Sequence, residues 1–269
     1  MRELKSAGYD GVEWRMTHVP EALKTEPPSF WGNNLCTLEP TEADARRGRA
    51  LAEGAGLAVV GLGTYIRAGD LGATERMMHL AGMAGAPWVR VGVGTMGEGS
   101  YAETFDAAKD FLAGAETLAG KYGAKALVEI HHGTICPSAS LAHRLVSGFD
   151  PGRVGVIFDP GNMVYEGFED YRIGLELLGP YLAHVHLKNA AFERPEGGGV
   201  WKPRWAPLED GVVNLEVLFA ALRGVGYEGW LVVEDFSAVR PSTEALGHNL
   251  RLVRSLIGED SASGAGGRG

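Results

Sequence analysis

A (β/α)8-type barrel is the fold class this sequence predicts, and three observations predict it. Short apolar, β-branched runs alternate with helical patterns along most of the chain. The helical stretches between them are long enough to carry the chain back across a sheet, so successive strands run parallel and the crossovers are right-handed. The length of 269 residues and the 45% apolar content suit one large α/β domain with a substantial core.

The elements follow in order. RELKSAGYD before residue 11 reads as the end of a helix, and GVEWR at 11 to 15 is the first strand. Further strands are predicted at LAVVGLG (57 to 63), WVRVGVG (88 to 94), KALVEIHH (125 to 132), RVGVIFDPGN (153 to 162), LAHVHLKN (182 to 189) and GWLVVEDF (229 to 236). These make seven strands where a closed barrel has eight, so the barrel is expected to lack its first strand or to have it truncated. Either the natural start lies upstream of Met1, the favoured expectation, or the barrel stays open between its first and last strands. Between the strands, Phe105, Ala108, Phe111, Leu112, Ala115 and Leu118 form one apolar stripe and predict a helix over Tyr101 to Tyr122. Thr41 with Glu42 and Asp44 reads as a helix start, and Gly123, Gly148 and Gly226 stand where helices should stop. The connection from Ala190 to Val213 is longer than a usual βα loop and carries Arg194, Trp201, Lys202, Arg204 and Trp205, which predicts a loop over a site. Residues 1 to 257 are expected to form a single barrel domain, and the small polar stretch 258 to 269 a disordered tail.

Composition narrows the function. A net charge of -9 argues against a partner gripped by its phosphate backbone, so no nucleic acid is expected. Cys36 and Cys136 lie far apart with no CxxC, which predicts free thiols in a reducing cytoplasm. No run approaches the ~18 apolar residues of a membrane span. A small-molecule substrate fits best, and the oligomeric state is open, a homo-oligomer included.

The chemistry is carried by four side chains at the ends of the last four strands: Glu129, Asp159, His186 and Glu234. In a parallel barrel, functional groups collect at these C-terminal ends. Burying unpaired carboxylates costs several kcal/mol each, so three acids converging on one mouth call for a cation. Three oxygen donors and one imidazole suit one divalent ion, Mn²⁺, Mg²⁺ or Co²⁺ before Zn²⁺. The alternative is four separate ion-paired or exposed residues, common enough for any one of them alone. Period-two geometry adds Glu13 and Arg15, His131, and His184 and Lys188 to the inward face. Glu13, His131 and Lys188 are placed to touch substrate. His184, lying deeper, is expected to be a core imidazole bonded to a backbone carbonyl, and His132 to point outward. Arg194 is a candidate to hold a substrate oxygen or phosphate from the long loop, a surface arginine being the equal alternative. Gly92, Gly94 and Gly97 match GxGxxG, but the acid expected ~20 residues later falls in the long helix, so these are turn residues. Trp14, Trp31, Trp201 and Trp205 are read as packing rather than as sugar platforms.

AGYDGVEWR, VEIHHG, FDPGNM, HVHLKN and PLEDGVVNLEVLFAALRGVGYEGWLVVEDF together resemble the xylose isomerase-like TIM barrel superfamily of sugar phosphate isomerases and epimerases, from the start of the chain to about residue 236. The resemblance implies that the four strand-end residues bind the metal, and that Glu129 and Glu234 also move the substrate proton. It places Asn162 at a substrate-binding position where several relatives carry histidine. The implied activity is isomerisation or epimerisation of a sugar or sugar phosphate, by proton abstraction beside a carbonyl through an enediolate. Dehydration of a cyclic polyol or keto acid on the same site, and an inactive sugar-binding barrel, are the competing readings. An apurinic endonuclease of the same superfamily needs extra metal-ligating histidines that are not found here.

Overall fold

All seven expected strands form in the computed structural model, which describes residues 1–27, 36–97 and 99–258; Trp31 and 259–269 of the expected tail lie outside the described residues. The chain order is α1 (Arg2–Ala7), β1 (Gly11–Met16), β2 (Thr37–Leu38), α2 (Glu42–Glu53), β3 (Ala58–Thr64), α3 (Leu71–Ala84), β4 (Trp88–Val91), α4 (Tyr101–Tyr122) and β5 (Lys125–Glu129). It continues through α5 (Ala139–Val146), β6 (Val154–Phe158), α6 (Pro160–Glu166), α7 (Tyr171–Leu178), β7 (Leu182–Leu187), β8 (Asn189–Glu193), β9 (Lys202–Ala206), α8 (Leu215–Gly224), β10 (Leu231–Val233) and α9 (Ser242–Ile257). Eight strands make one parallel, curled sheet in the order β10-β7-β6-β5-β4-β3-β1-β2. The eighth member is not an N-terminal first strand. It is the two-residue β2, which pairs Thr37 with Arg15 and Leu38 with Met16 on the free side of β1. Such a short pairing leaves almost no period-two signal in the sequence. Arg254 Nη2 donates to Gly8 O at 2.7 Å, and Tyr9 hydroxyl donates to Leu246 O at 3.1 Å, so α9, which follows edge strand β10, is fastened to the turn that enters β1.

Two apolar layers follow from strand alternation. Val12, Trp14 and Met16 of β1 and Val89 and Val91 of β4 face outward into the layer under the helices, where α4 contributes Ala108, Phe111, Leu112 and Ala115 from its expected stripe. A fully buried Leu or Phe in such a layer contributes roughly 1.5–3 kcal/mol. Inside the barrel, Trp88, Leu127 and Ile157, with Ala183 against them, form a separate small floor. Room for that floor comes from Gly61, where a Cβ would lie 2.1 Å from the Trp88 ring.

Helix ends follow local rules. Thr41 accepts from Asp44 N at 3.2 Å, and Gly123 closes α4 in the left-handed conformation at φ 72°. Gly94 at φ 87° and Gly92, whose Cβ would meet Ile66 O at 2.4 Å, are turn residues after β4 as predicted. Cys136 is a buried free thiol, and Cys36 is exposed. No helix among the described residues is long and apolar enough to cross a membrane.

The long connection after β7 is not an irregular loop. It folds as the antiparallel hairpin β8–β9, pairing Asn189 with Ala206 through to Glu193 with Lys202. Pro203 and the Gly197–Gly199 run mask any alternation in the sequence. The hairpin is fastened at its root by buried Asn189. Its amide Nδ2 donates to Leu208 O (2.8 Å) and Val213 O (3.1 Å), while Oδ1 accepts from Ala190 N and Val213 N, each at 2.9 Å.

Candidate metal centre

The strand ends converge above the floor. One ligating atom each from Glu129, Asp159, His186 and Glu234 lies within 4.8 Å of the others. On the imidazole, the atom facing the acids is Nδ1, which is 3.0 Å from Glu129 Oε1, 3.5 Å from Glu234 Oε2 and 3.8 Å from Asp159 Oδ2. The opposite nitrogen, Nε2, is 3.0 Å from Glu13 Oε2.

Each group is held by local chemistry. Asp159 ends β6 and caps α6: its Oδ1 accepts from Asn162 N at 2.8 Å and its Oδ2 from Asn162 Nδ2 at 2.7 Å, which is what the sequence Asp-Pro-Gly-Asn builds with proline in the first helical turn. Asn162 also donates to Ile130 O at 3.1 Å, and in this structure it supports Asp159 and the end of β5. Lys188, almost wholly buried, places Nζ 2.7 Å from Asp159 Oδ2 and 2.6 Å from Glu234 Oε2. A Cβ at Gly161 would come within 2.7 Å of the Lys188 stem, so the glycine makes that approach possible. Glu129 is paired through Oε2 with Arg90 Nη1, and Arg90 Nε donates to Thr64 O at 2.9 Å.

Arg90 is the residue that the sequence reading missed. Its signal was present, because it sits two positions after floor residue Trp88 on the inward face of β4. His132 does not point outward: β5 ends at Glu129, alternation stops there, and the ring turns back to place Nδ1 3.2 Å from Asn162 Oδ1. It stacks with Tyr165 at 4.3 Å, and Tyr165 lies 4.7 Å from Trp205 of the hairpin. Trp205 therefore belongs to the mouth. With Phe236 it flanks Lys188 Nζ, at 5.2 Å and 4.8 Å to the ring centres. His184 is a core imidazole as expected, yet no backbone carbonyl receives its Nε2; that atom faces Glu13 Oε2 at 3.4 Å without completing a hydrogen bond. Its ring packs 4.7 Å from Trp88. His131 Nδ1 lies 2.6 Å from His132 O, and Arg194 is exposed near the hairpin tip, outside the convergent set. Trp14 is buried in the outer layer, and Trp201 is exposed.

The electrostatics favour charge separation. Burial opposes ionisation of Glu129, but the Arg90 guanidinium and then His186 hold its carboxyl well below the usual range. Asp159 is likewise depressed against its burial, by Lys188 and His186. Burial lowers His186, yet Glu234, Glu13 and the other acids outweigh it and hold the imidazole well above its ordinary value. Burial also opposes the Lys188 ammonium, which Asp159, Glu234 and Glu129 hold in the charged form. Three carboxylate oxygens and one imidazole nitrogen, with two of the carboxylates already on an ammonium nitrogen, are a donor set that fits a hard or borderline divalent cation.

Comparison with known proteins bears on this geometry. A sequence-family model described as a xylose isomerase-like TIM barrel matches residues 1–256. Inosose dehydratase of Geobacillus thermodenitrificans is 31% identical over 143 residues, covering 49% of this chain and 47% of that protein. Inosose dehydratase of Clostridium perfringens is 33% identical over 129 residues, covering 44% and 42%. The matched stretch thus spans about half the length of these curated relatives. Among solved structures, the IolI protein with a bound zinc atom superposes with a TM-score of 0.70 at 18% identity, covering 96% of this chain and 91% of that one. The 3-keto-D-glucoside 4-epimerase of E. coli gives 0.69 at 19% identity, covering 94% and 92%. A probable 3-DHS dehydratase of Bacillus anthracis gives 0.69 at 18%, covering 94% and 91%.

Proposed function

Because the chain belongs to the xylose isomerase-like TIM barrel family, we propose that it is a divalent-metal-dependent enzyme that removes a proton from the carbon beside the carbonyl of a sugar or cyclic polyol ketone, with isomerisation or epimerisation as the outcome. The observation that carries this reading is the convergence of Glu129, Asp159, His186 and Glu234 within 4.8 Å. These four would hold one divalent ion, which would supply Lewis-acid polarisation of the substrate carbonyl.

The remaining roles fall to side chains. Glu234 is the most accessible carboxylate of the four, at 23% side-chain exposure against 5% for Glu129 and 0% for Asp159. It is the base that takes the carbon-bound proton, and the bonding pair moves toward the carbonyl. Lys188 is placed to donate a hydrogen bond to the oxygen on which charge develops. Trp205, Tyr165 and Phe236 wall the mouth with rings on which the C–H face of a sugar packs, and they exclude water from the proton in transit. Epimerisation needs a proton delivered from the opposite face, which falls to Glu129, the second acid that the resemblance assigns to proton transfer, with Glu234 keeping the proton it took; return by Glu234 to the neighbouring carbon gives isomerisation.

Dehydration is the second reading, and one observation favours it specifically. Glu129 is gripped through both oxygens, by Arg90 and by His186, whereas Glu234 meets Lys188 at the open side. One free base beside one ammonium suits removal of a proton and protonation of a departing hydroxyl. The inosose dehydratases among the relatives point the same way.

The experiment is incubation with Mn²⁺, Mg²⁺ or Zn²⁺ and a panel of ketoses, inososes and their phosphates in deuterated water. Deuterium in a recovered epimer or isomer supports the first reading, and loss of water from the substrate supports the second. Absence of both exchange and elimination with every substrate and metal would overturn the shared proposal and leave a binding barrel.

A further inference from the structure

Beneath the metal-facing side of His186 lies a second arrangement that the proposed chemistry does not use. Glu13 of β1 reaches across the barrel and sets Oε2 3.0 Å from His186 Nε2 and 3.4 Å from His184 Nε2. His184 Nε2 has no completed hydrogen bond and His184 is almost wholly buried, so a second imidazole is aimed at the same oxygen. Space for the carboxylate is built into the neighbouring strand: a Cβ on Gly63 would lie 2.8 Å from Glu13 Oε1. The register between β1 and β3 shifts between Val12 and Glu13, with Val60 of β3 as the extra residue, so Gly61 rather than Val60 stands opposite Glu13.

Resting on the metal-site reading above, we infer that Glu13 is a positioning residue for His186: it accepts the Nε2 proton, and so fixes the tautomer and ring orientation that leave the Nδ1 lone pair facing Glu129, Asp159 and Glu234. An imidazole has one lone pair to give, and the hydrogen bond made by the other nitrogen decides which atom gives it. Nδ1 is the nitrogen within 3.8 Å of all three acids. When Nδ1 gives its lone pair to an ion, the ring keeps one proton, on Nε2, and Glu13 Oε2 is the acceptor 3.0 Å away that holds it there. Glu13, an inward acid on the first strand, thus acts through the imidazole rather than on substrate. His184, with Nε2 facing the same oxygen at 3.4 Å, packs against the carboxylate on its other side.

The test uses Zn²⁺ as a diamagnetic probe, with wild type, Glu13→Leu and Glu13→Gln compared by calorimetric titration and by ¹⁵N imidazole resonances. Glu13→Leu should weaken Zn²⁺ binding by about 10–100-fold, the usual loss when the partner behind a ligating histidine is removed. Glu13→Gln keeps an acceptor oxygen in the same shape and should recover most of that affinity, while still shifting the Nε2 resonance of His186. In the zinc-loaded wild type, Nε2 should carry the proton and Nδ1 the metal-shifted resonance. Wild-type affinity and unchanged His186 resonances in both variants would overturn the inference, as would a second equivalent of Zn²⁺ lost with Glu13, because the deep trio would then be a site of its own. If Glu13→Leu does not fold, the Gln resonances decide alone. Failure of the underlying reading looks different: wild-type Zn²⁺ binding would be absent, or indifferent to Glu129→Gln and Asp159→Asn.

Discussion

The two glutamates of the centre stand on strands of opposite kind. Glu129 ends β5, an interior strand paired on one side with β4 and on the other with β6. Glu234 follows β10, a three-residue strand at the edge of the sheet, paired only with β7 among the described residues. Interior position gives Glu129 a cation from the neighbouring strand, Arg90, and a buried, fully engaged carboxylate. Edge position gives Glu234 one flank open to the mouth. The difference teaches that a barrel can specialise chemically similar ligands by where their strands lie in the sheet. In the chemistry proposed above, the interior strand supplies the more buried carboxylate and the edge strand the more accessible one.

The largest effect that would sharpen this contrast is on turnover. Glu234→Gln should lower solvent proton exchange roughly 10²–10⁴-fold, the span of general-base contributions, with a smaller loss of stability than Glu129→Gln because Asp159 still pairs Lys188. A destabilised but active Glu234→Gln would break the contrast. Glu129→Gln should act through stability, because it strands the Arg90 guanidinium without its anion. Breaking a buried pair in this way costs about 3–5 kcal/mol, which urea unfolding of the metal-free protein would read.

Acid should expose the same lock. Glu13 has its carboxyl lowered from 4.5 to about 2, against burial, by His186 and His184, and Glu129 is lowered too. Carboxylates depressed in the folded state add stability that is fully present above their ordinary values and is lost as pH falls toward the folded ones. The metal-free protein should therefore lose stability from about pH 4.5 downward, and Glu129→Gln should show a shallower acid limb. A limb of equal slope would remove Glu129 from the account. The smallest expected effect needs no substitution: amide hydrogens of Leu231–Val233 should exchange ahead of those of Lys125–Glu129, as edge pairing opens before interior pairing.

Much of this was legible in the sequence, and particular residues show why. The seven strand runs and the Tyr101–Tyr122 helix were readable because period and length agree over many residues. The four convergent side chains were readable because each interrupts an apolar run at its C-terminal end. Arg90 was passed over because an inward arginine on an early strand gains meaning only when Glu129 is seen beside it. His132 was misdirected because alternation was carried past Glu129, where the strand stops. The hairpin leaves no alternation to read, because Pro203 and three consecutive glycines hide its pairing. Strand β2 makes two residue pairs, too few for any periodic pattern to register.

The Asn189 fastening has a consequence for how the mouth is held. Its four hydrogen bonds close the excursion where it leaves and rejoins the wall, and Gly211 lies so near that a Cβ there would come within 2.1 Å of Asn189 Oδ1. Distal to that knot the hairpin rests on α6, where Trp205 meets Tyr165, so the excursion is joined both to the strand ends and to the helix that Asp159 caps. On the reading proposed above, that suture joins the ring wall that substrate would meet to the helix capped by one of the convergent acids.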